Sequence, residues 1–242
     1  MNVIYGKHPV FLALKNRAVD FVNIYTSNVN NLVEYISKNN IKIDSNIIQY
    51  KNNAQLGKML NNGANHQGYL AYLRENKKIN LDDFIAKLGD YGKNLPKLVI
   101  LDQLTDLHNV GAILRTAAAF GINYVLKTKY NSPGDLSIIA KTSAGTSELI
   151  NIIEIININR TIEILKNVGY FIVGLSEKSE YTLSRVKNMD NLCLVVGSEG
   201  KGLRQLVRKN CDMLCCIKMP GKGVESLNAS VATAIAIYEL WS

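Results

Sequence analysis

Residues 192–203, with the sequence LCLVVGSEGKGL, decide the fold class more than any other stretch of this chain. The apolar run Leu192 to Val196 has the length and composition of a buried strand. Three glycines follow within six residues, and they permit a tight turn and a close backbone approach. The loop lacks the Lys-Ser/Thr pair of a P-loop and the spacing of a Rossmann fingerprint, and Glu199 would repel phosphate. The stretch therefore predicts a strand that ends in a glycine loop unsuited to phosphate.

The same alternation of strand and helix extends outward from this stretch. Strands are predicted at residues 98–101, 124–126, 149–155, 171–174, 192–196 and 213–217, and helices at residues 110–120, 160–168, 203–209 and 227–240. Apolar strands that alternate with helices predict a largely parallel sheet covered on both faces. Ligands of such sheets bind beyond the carboxyl ends of the strands, so we expect the functional residues there.

The first third of the chain predicts a smaller α/β unit. Its helices are expected at residues 8–16, 31–39 and 54–60, and its strands at residues 21–25, 43–50 and 68–73. Residues 76–96 are polar and end at Gly92 and Pro96, which is typical of a linker. The predicted organisation is therefore a domain at 1–75, a linker at 76–96 and a second domain at 97–242.

The charge of the chain is concentrated near its amino end. The 242 residues carry a formal net charge of +8, and residues 1–78 hold ten Lys and Arg against four Asp and Glu. A basic amino-terminal region followed by a nearly neutral remainder favours a polyanionic partner. A surplus of basic residues that only keeps the protein soluble would give a similar charge distribution. No apolar run approaches the roughly 18–20 residues of a membrane span, and no signal peptide is recognisable. We expect a cytoplasmic protein without a membrane partner.

Metal and hydrolase chemistry are disfavoured. The four cysteines do not show the separated pairs of a zinc site, and they are expected to be buried, reduced thiols: Cys193, Cys211, Cys215 and Cys216. The three histidines have no metal-ligand spacing, and no G-x-S-x-G elbow is present. We therefore predict no metal.

Two further segments follow predicted strands. DQLTDLHNVGAILRTAAAFG at 102–121 offers Asn109 as a helix cap and places Arg115 in an Ala-rich helix, where its charge must reach solvent, an anion or a ligand. A structural ion pair is the alternative role for Arg115. IKMPGKGVESLNASVA at 217–232 offers Ser226 or Asn228 as the cap of the last helix. Read alone, this second segment could equally be a plain junction between loop and helix.

Together these segments resemble a known family. NVGAILRT at 109–116, GSEGKG at 197–202 and SLNASVA at 226–232 resemble, in order and spacing, three motifs of the SpoU (TrmH-type) RNA ribose 2'-O-methyltransferases of the SPOUT superfamily. YGKHPV at 5–10 and HQG at 66–68 resemble the L30e/L7Ae-type RNA-binding domain of the 23S rRNA guanosine members. The segment from Ile217 to Leu227 is one residue longer than the I-P-M-x-G form of the family.

The resemblance implies a fold, a cofactor and partners. The fold is a small L30e-like α/β domain followed by a parallel-sheet α/β methyltransferase domain with a C-terminal trefoil knot. The cofactor is S-adenosylmethionine without a metal, and the partners are RNA and a second subunit that completes the site. The implied cofactor-binding residues are Gly197, Gly200, Ile217, Met219 and Leu227.

The resemblance also implies roles for the catalytic set Asn109, Arg115, Glu199, Ser226 and Asn228. The family position of Arg115 is proposed to act as a general base. Guanidinium groups are poor bases, so the alternative is that Arg115 binds the adjacent phosphate and stabilises the forming alkoxide. Asn109 would orient Arg115 or the ribose, Glu199 and Asn228 would fix the cofactor pocket, and Ser226 would contact either.

The function implied is methylation of a ribose 2'-hydroxyl in 23S rRNA, with guanosine as the expected nucleotide. Two alternatives remain within the same fold, namely a tRNA 2'-O-methyltransferase and a non-catalytic rRNA-binding protein. A nucleotide-dependent enzyme of another α/β family is disfavoured, because the chain has neither a phosphate loop nor a ribose-binding acid after the second strand.

Overall fold

The computed structural model describes residues 2–60, 64–74, 79–130, 143, 146–221 and 226–242, which belong to two compact units. Unit 1 contains the described residues up to Arg74, together with Ser143 and Thr146–Leu149. Unit 2 contains residues 79–130, 150–221 and 226–242. Each unit has hydrophobic clusters of its own.

Unit 1 is a four-stranded sheet with helices on its faces. Its elements are β1 (Asn2–Tyr5), α1 (Lys7–Arg17), β2 (Phe21–Thr26), α2 (Val29–Lys38), β3 (Ile48–Tyr50), α3 (Asn53–Met59) and β4 (Tyr69–Leu73), with 3-10 turns at Ala18–Asp20, Ser45–Ile47 and Thr146–Leu149. The strand order is β1-β4-β2-β3, with β2 and β3 parallel and the other pairs antiparallel. Val10 and Leu14 of α1 pack with Leu32 of α2 and Ile24 of β2 in one core cluster.

Local side-chain bonds explain where these elements begin. Asn52 and Gln55 form a reciprocal capping box at the start of α3. The predicted strand at 43–50 shortens to β3, because Asp44 Oδ1 accepts the backbone N–H of Asn46 at 2.9 Å and initiates a turn. Strand β1 was not predicted, because its four residues are too few to show a period; among the described residues it pairs with β4 alone.

Unit 2 confirms the predicted parallel α/β sheet. Its elements are α4 (Leu81–Leu88), β5 (Leu98–Asp102), α5 (Leu107–Ala119), β6 (Tyr124–Thr128), β7 (Asn151–Ile155), α6 (Ile158–Asn167), β8 (Phe171–Leu175), β9 (Leu192–Gly197), α7 (Gln205–Asn210), β10 (Met213–Cys215) and α8 (Ala229–Trp241), with 3-10 turns at Gly89–Tyr91 and Leu183–Arg185. The strand order is β10-β8-β9-β5-β6-β7, and every described pair is parallel.

The central strands of unit 2 are buried on both faces. In β5 the residues Leu98 to Leu101 are all fully buried, so alternate side chains fill the cores above and below the sheet. Helix α4 lies within the segment expected to be a linker. Its residues Phe84 and Leu88 are nonetheless buried in the core of unit 2, beside Leu98 and Ile162.

The cap of α5 differs from the sequence prediction. The helix begins at Leu107, and Asp106 caps it by accepting the backbone N–H of His108 at 2.8 Å. The prediction that Asn109 is the cap was wrong, because Asp106 satisfies the helix start three residues earlier and leaves the amide of Asn109 free for other bonds. For the last helix, Asn228 is the cap.

The predicted trefoil knot involves residues 222–225, which lie outside the described residues, so it stays a prediction. Across the part of the chain that the structure describes, no helix combines the length and apolar character needed to cross a membrane.

Candidate functional site

The register between β5 and β9 sets the position of the site. These strands are parallel neighbours, and Asp102 at the end of β5 is paired with Gly197 at the end of β9. Because both strands end at the same edge of the sheet, the segments that follow them start side by side. This edge therefore brings the start of α5 close to the glycine loop.

The glycine loop, residues 197–203, folds back on the end of β9. The Gly202 N–H donates to the Ser198 carbonyl, and the Lys201 N–H donates to the Glu199 carbonyl, both at 2.8 Å. Gly200 and Gly202 adopt φ values of 73° and 62°, a region that favours glycine. A Cβ atom on Gly197 would overlap the backbone of Gly202 and Leu203. The turn therefore depends on glycine at three positions.

An ion pair between the buried Asp102 and the half-exposed Arg204 anchors the far end of this loop. The Asp102 side chain is fully buried, and its Oδ1 accepts from Arg204 Nε at 2.8 Å and from the terminal guanidinium nitrogen at 2.6 Å. The Arg204 backbone N–H also donates to Oδ2 at 3.2 Å. The sequence analysis did not select either residue. An Asp at the end of an apolar strand and an Arg directly after a glycine loop were the available signals.

Three of the predicted catalytic residues meet in an amide–carboxylate bridge, formed by Asn109, Glu199 and Asn228. Glu199 Oε1 accepts from Asn109 Nδ2 at 2.5 Å and from Asn228 Nδ2 at 2.8 Å. Asn228 Nδ2 also lies 3.1 Å from Asn109 Oδ1, and Asn109 Nδ2 lies 3.1 Å from Asp106 Oδ2. The bridge thus joins the first turn of α5, the glycine loop and the start of α8.

Asn228 has two tasks in this arrangement. Its Oδ1 accepts the backbone N–H groups of Ser230 at 2.9 Å and Val231 at 3.3 Å, which caps α8. Its Nδ2 supplies the bonds to the bridge, so one amide uses its acceptor for the helix and its donor for the site. Neither Ala nor Asp can perform both tasks.

Arg115 and Ser226 do not take part in the amide–carboxylate bridge. Both are exposed, and neither side chain makes a hydrogen bond to another described residue. The six residues from Asn109 to Arg115 correspond to about 9 Å along the helix axis and roughly 240° of rotation. Within one chain the structure therefore does not place Asn109 against Arg115, and the Arg115 side chain reaches solvent.

The predicted cofactor residues surround the same edge of the sheet. Gly197 and Gly200 belong to the glycine loop, while Ile217 and Met219 follow β10 and are half-buried. The backbone N–H and C=O groups of Ile217, Met219 and Leu227 make no hydrogen bond to described residues. This part of the edge therefore offers half-buried backbone donors and acceptors to a polar ligand.

Ser176 adds a side chain that the sequence analysis missed. It follows β8, and its backbone N–H donates to the Cys215 carbonyl at 2.9 Å, so it lies at the carboxyl ends of β8 and β10. Its Oγ is buried without a hydrogen-bond partner among the described residues. A buried unpaired hydroxyl is costly unless a ligand or water satisfies it. A polar residue directly after an apolar strand was the available signal.

Three cysteines of unit 2, namely Cys193, Cys211 and Cys215, are unsuited to nucleophilic chemistry. Burial raises the pKa of Cys211 to about 12 and of Cys215 to about 11, and it raises the pKa of Cys193 well above its usual value. These thiols therefore stay protonated at neutral pH. Among the described residues, no group of three His, Cys, Asp or Glu side chains is placed to hold a metal ion.

Comparison with known families agrees with this geometry. The model of the SpoU rRNA Methylase family matches residues 96–238, which is more than half of the chain. The chain belongs to the SpoU rRNA methylase family. A second model, described as RNA 2'-O ribose methyltransferase substrate binding, matches residues 3–78. The resemblance inferred from the sequence motifs is thereby confirmed.

Relatives within the SpoU family extend over nearly the whole chain. The 23S rRNA (guanosine-2'-O-)-methyltransferase RlmB of Neisseria meningitidis is 33% identical over 243 residues, covering 98% of this chain and 93% of the relative. An uncharacterized tRNA/rRNA methyltransferase of Synechocystis is 35% identical over 243 residues, and the match covers 100% of this chain. The chain spans 62% of the length of that Synechocystis relative.

A solved SpoU structure has the same fold. The methyltransferase AviRb from Streptomyces viridochromogenes, in complex with the cofactor AdoMet, superposes with a TM-score of 0.77 at 18% sequence identity. The match covers 98% of this chain and 88% of the AviRb chain.

We predict that Gly197→Ala destabilises the protein more than Gly200→Ala does. A Cβ added at position 197 would overlap backbone that cannot rotate away, at a cost of about 3 kcal/mol. A Cβ at position 200 meets open space, so only the positive φ costs about 1 kcal/mol. Urea denaturation measures both, and hydrogen exchange at Gly202 and Leu203 should accelerate only in Gly197→Ala. Equal destabilisation by the two substitutions would contradict the close approach.

Proposed function

We propose that this protein transfers a methyl group from S-adenosylmethionine to the 2'-hydroxyl of a specific ribose in 23S rRNA, with guanosine as the nucleotide. The observation that carries the proposal is the amide–carboxylate bridge, which joins the three family motifs at one edge of the sheet. The identity to RlmB across nearly the full chain supports the choice of rRNA. Such a substrate also favours a cytoplasmic location.

The edge of unit 2 fits the cofactor chemically. S-adenosylmethionine supplies a methyl group on a sulfonium, which requires no metal for its transfer. The unpaired backbone groups of Ile217, Met219 and Leu227 are suited to the donors and acceptors of an adenine ring. The buried hydroxyl of Ser176 offers one further bond. The glycine loop allows a ligand to approach the backbone closely at Gly197 and Gly200.

The chain's own residues perform the remaining tasks of the reaction. The ribose 2'-oxygen would form a C–O bond as the S–C bond breaks, the sulfur would leave as the neutral thioether S-adenosylhomocysteine, and the hydroxyl proton would pass to solvent water. Alignment and stabilisation of the developing negative charge lower the barrier. Arg115 is exposed and has no carboxylate partner among the described residues, so its guanidinium is available to a phosphate or a forming alkoxide. In this proposal Asn109 orients the ribose, and Ser226, the neighbour of Leu227 in the chain, contacts the cofactor or the RNA.

Methyl incorporation tests this function. Purified full-length protein is incubated with S-adenosylmethionine carrying a labelled methyl group and with either fragments of unmodified 23S rRNA or unmodified tRNA. We expect label in 23S rRNA, and mass spectrometry of the digest should locate it on a guanosine ribose. Preferential labelling of tRNA would overturn the rRNA substrate. RNA binding without any label would establish the non-catalytic alternative.

We predict that Arg115→Ala abolishes methyl transfer while leaving the affinity for S-adenosylmethionine nearly unchanged. Arg115 lies on α5, away from the glycine loop and the segment after β10 that are assigned to the cofactor. Arg115→Lys should also fail if a planar, bidentate contact is needed. Single-turnover kinetics and calorimetry separate the two effects. Near-normal turnover by Arg115→Lys would show that a simple charge suffices.

We further infer that the enzyme works as a homodimer that buries an apolar stripe on α8. Val231, Ile235 and Tyr238 recur at helical spacing and are 47%, 40% and 60% exposed. Helix α8 packs against α5, and the ring of Phe120 meets Tyr238 edge-on at 6.2 Å. Because α5 carries the exposed Arg115, a second copy that covers this surface would approach the residue assigned to catalysis.

Sedimentation of stripe variants tests the dimer. Ile235→Glu places a charge in the middle of the stripe and should convert the dimer to a monomer at micromolar protein concentration. Ile156→Glu is the matched control, because Ile156 is 73% exposed in the same unit but lies outside the stripe. A wild-type protein that sediments as a monomer, or a dimer that survives Ile235→Glu, would contradict this inference.

A further inference from the structure

A groove in unit 1 has no role in the function proposed so far. It lies between α1 and α2, encloses about 460 Å³, and is termed here the α1–α2 groove. Its principal lining residues are Lys7, His8 and Phe11 from α1 and Asn31, Tyr35 and Lys38 from α2. The volume lies within the range of small-ligand sites and accommodates one nucleotide, but not a duplex.

The aromatic residues of the groove are held rigidly. Phe11 and Tyr35 stack with their ring centroids 4.2 Å apart and their planes 28° from parallel. The edge of Tyr69 packs against Phe11 at 5.1 Å, which fixes this ring from another side. Phe11 is buried, whereas Tyr35 remains partly open to the groove. A partly open ring supported from behind is a suitable platform for stacking a base.

The polar groups beside this platform are also oriented. The Tyr69 hydroxyl donates to Asn31 Oδ1 at 2.8 Å, which fixes the amide and leaves Nδ2 as a donor. The backbone N–H of Lys7 donates to Gln67 Oε1 at 3.1 Å, and Lys7 Nζ lies 5.5 Å from the centroid of Phe11. Both bonds exist without a ligand, so the groove is organised before anything binds.

The charges of the groove match a nucleotide. Lys7 and Lys38 supply two positive charges suited to a phosphate, and Glu34 supplies one carboxylate. A carboxylate repels phosphate, but it accepts hydrogen bonds from the exocyclic amino group of a base. Two lysines beside an aromatic platform with a single carboxylate favour a phosphate-linked base over an inorganic anion or an apolar peptide.

We propose that the α1–α2 groove binds one unpaired nucleotide of the RNA substrate, with its base stacked on Tyr35 and its phosphate held by Lys7 and Lys38. The nucleotide must be unpaired, because a duplex hides the face of each base. This proposal rests on the proposed RNA substrate. It adds the site by which unit 1 distinguishes a single-stranded or looped RNA from a duplex of equal charge.

Matched substitutions in the full-length protein test the groove, with binding to a 23S rRNA fragment as the readout. Tyr35→Leu keeps an apolar side chain but removes the ring plane, and loss of about 1–3 kcal/mol of stacking should weaken binding about 5- to 150-fold. Tyr35→Phe keeps the ring and should bind like the wild type. Tyr50→Leu is the control, because Tyr50 is 65% exposed in unit 1 and does not line the groove.

The salt dependence of binding tests the phosphate contact separately. Lys38→Gln should reduce the slope of log affinity against log salt concentration by about 0.7, the value for one contact to a single strand. Lys58→Gln removes an exposed lysine of unit 1 outside the groove and should change the slope less. If Tyr35→Leu binds as Tyr50→Leu does, or if the two lysine variants have equal slopes, the groove is not the nucleotide site.

Photo-crosslinking tests the groove in the wild-type protein, so its result does not depend on whether a variant folds correctly. A 23S rRNA fragment containing 4-thiouridine in its loops should crosslink to peptides from residues 7–12 or 31–38. Crosslinks confined to other peptides would overturn the groove proposal, while methyl transfer by the same sample would leave the enzymatic function standing. A wild-type protein that neither binds nor methylates any RNA would overturn both.

Discussion

The pairing of Asp102 with Gly197 at the ends of two central parallel strands determines where the rest of the site lies. A shift of β5 by one residue would move each of its side chains to the opposite face, where it would not fit the close packing of that core, so packing on both faces fixes this register. Once the strand ends are level, the start of α5 and the glycine loop are neighbours. Long-range packing thus places two segments together that are about ninety residues apart in the chain.

The glycine loop turns this placement into a defined geometry. Gly197 allows the returning backbone of Gly202 and Leu203 to contact the strand end, and Asp102 holds Arg204 immediately beyond. The Asp102 carboxylate is fully buried and receives three hydrogen bonds, so its charge is compensated only while Arg204 stays in place. Because the Arg204 side chain is 43% exposed, water screens this pair, and loss of Arg204 costs less than the roughly 3–5 kcal/mol typical of a fully buried pair. Steric fit therefore holds one end of the loop and electrostatics holds the other.

The sequence was sufficient for the elements that carry a long regular pattern. All six strands of unit 2 were predicted, with boundaries that differ by at most two residues, because buried parallel strands are continuous apolar runs. Short or locally determined features were not predictable in this way. Strand β1 has only four residues, and the polar composition of residues 76–96 did not reveal that Phe84 is buried in the core of unit 2. The candidate site likewise contains residues that the sequence predicts and residues that it does not. The motifs identified Asn109, Glu199 and Asn228, but spacing alone could not show that Asp106 caps α5, since both residue types cap helices well.

The energetics of the amide–carboxylate bridge indicate what it is for. A hydrogen bond contributes about 0.5–1.5 kcal/mol net, and less where water competes, as it does at the exposed Glu199 and Asn228. The apolar residues of β5 and β9 each contribute about 1.5–3 kcal/mol when fully buried, so the sheet does not depend on the bridge for its stability. The bridge instead fixes the positions of the segments that it joins. It links three segments whose described residues share no backbone hydrogen bond, and with Asn109 buried it fixes the glycine loop relative to both helices. A site that aligns a methyl donor with an oxygen needs this kind of positional constraint more than it needs additional stability.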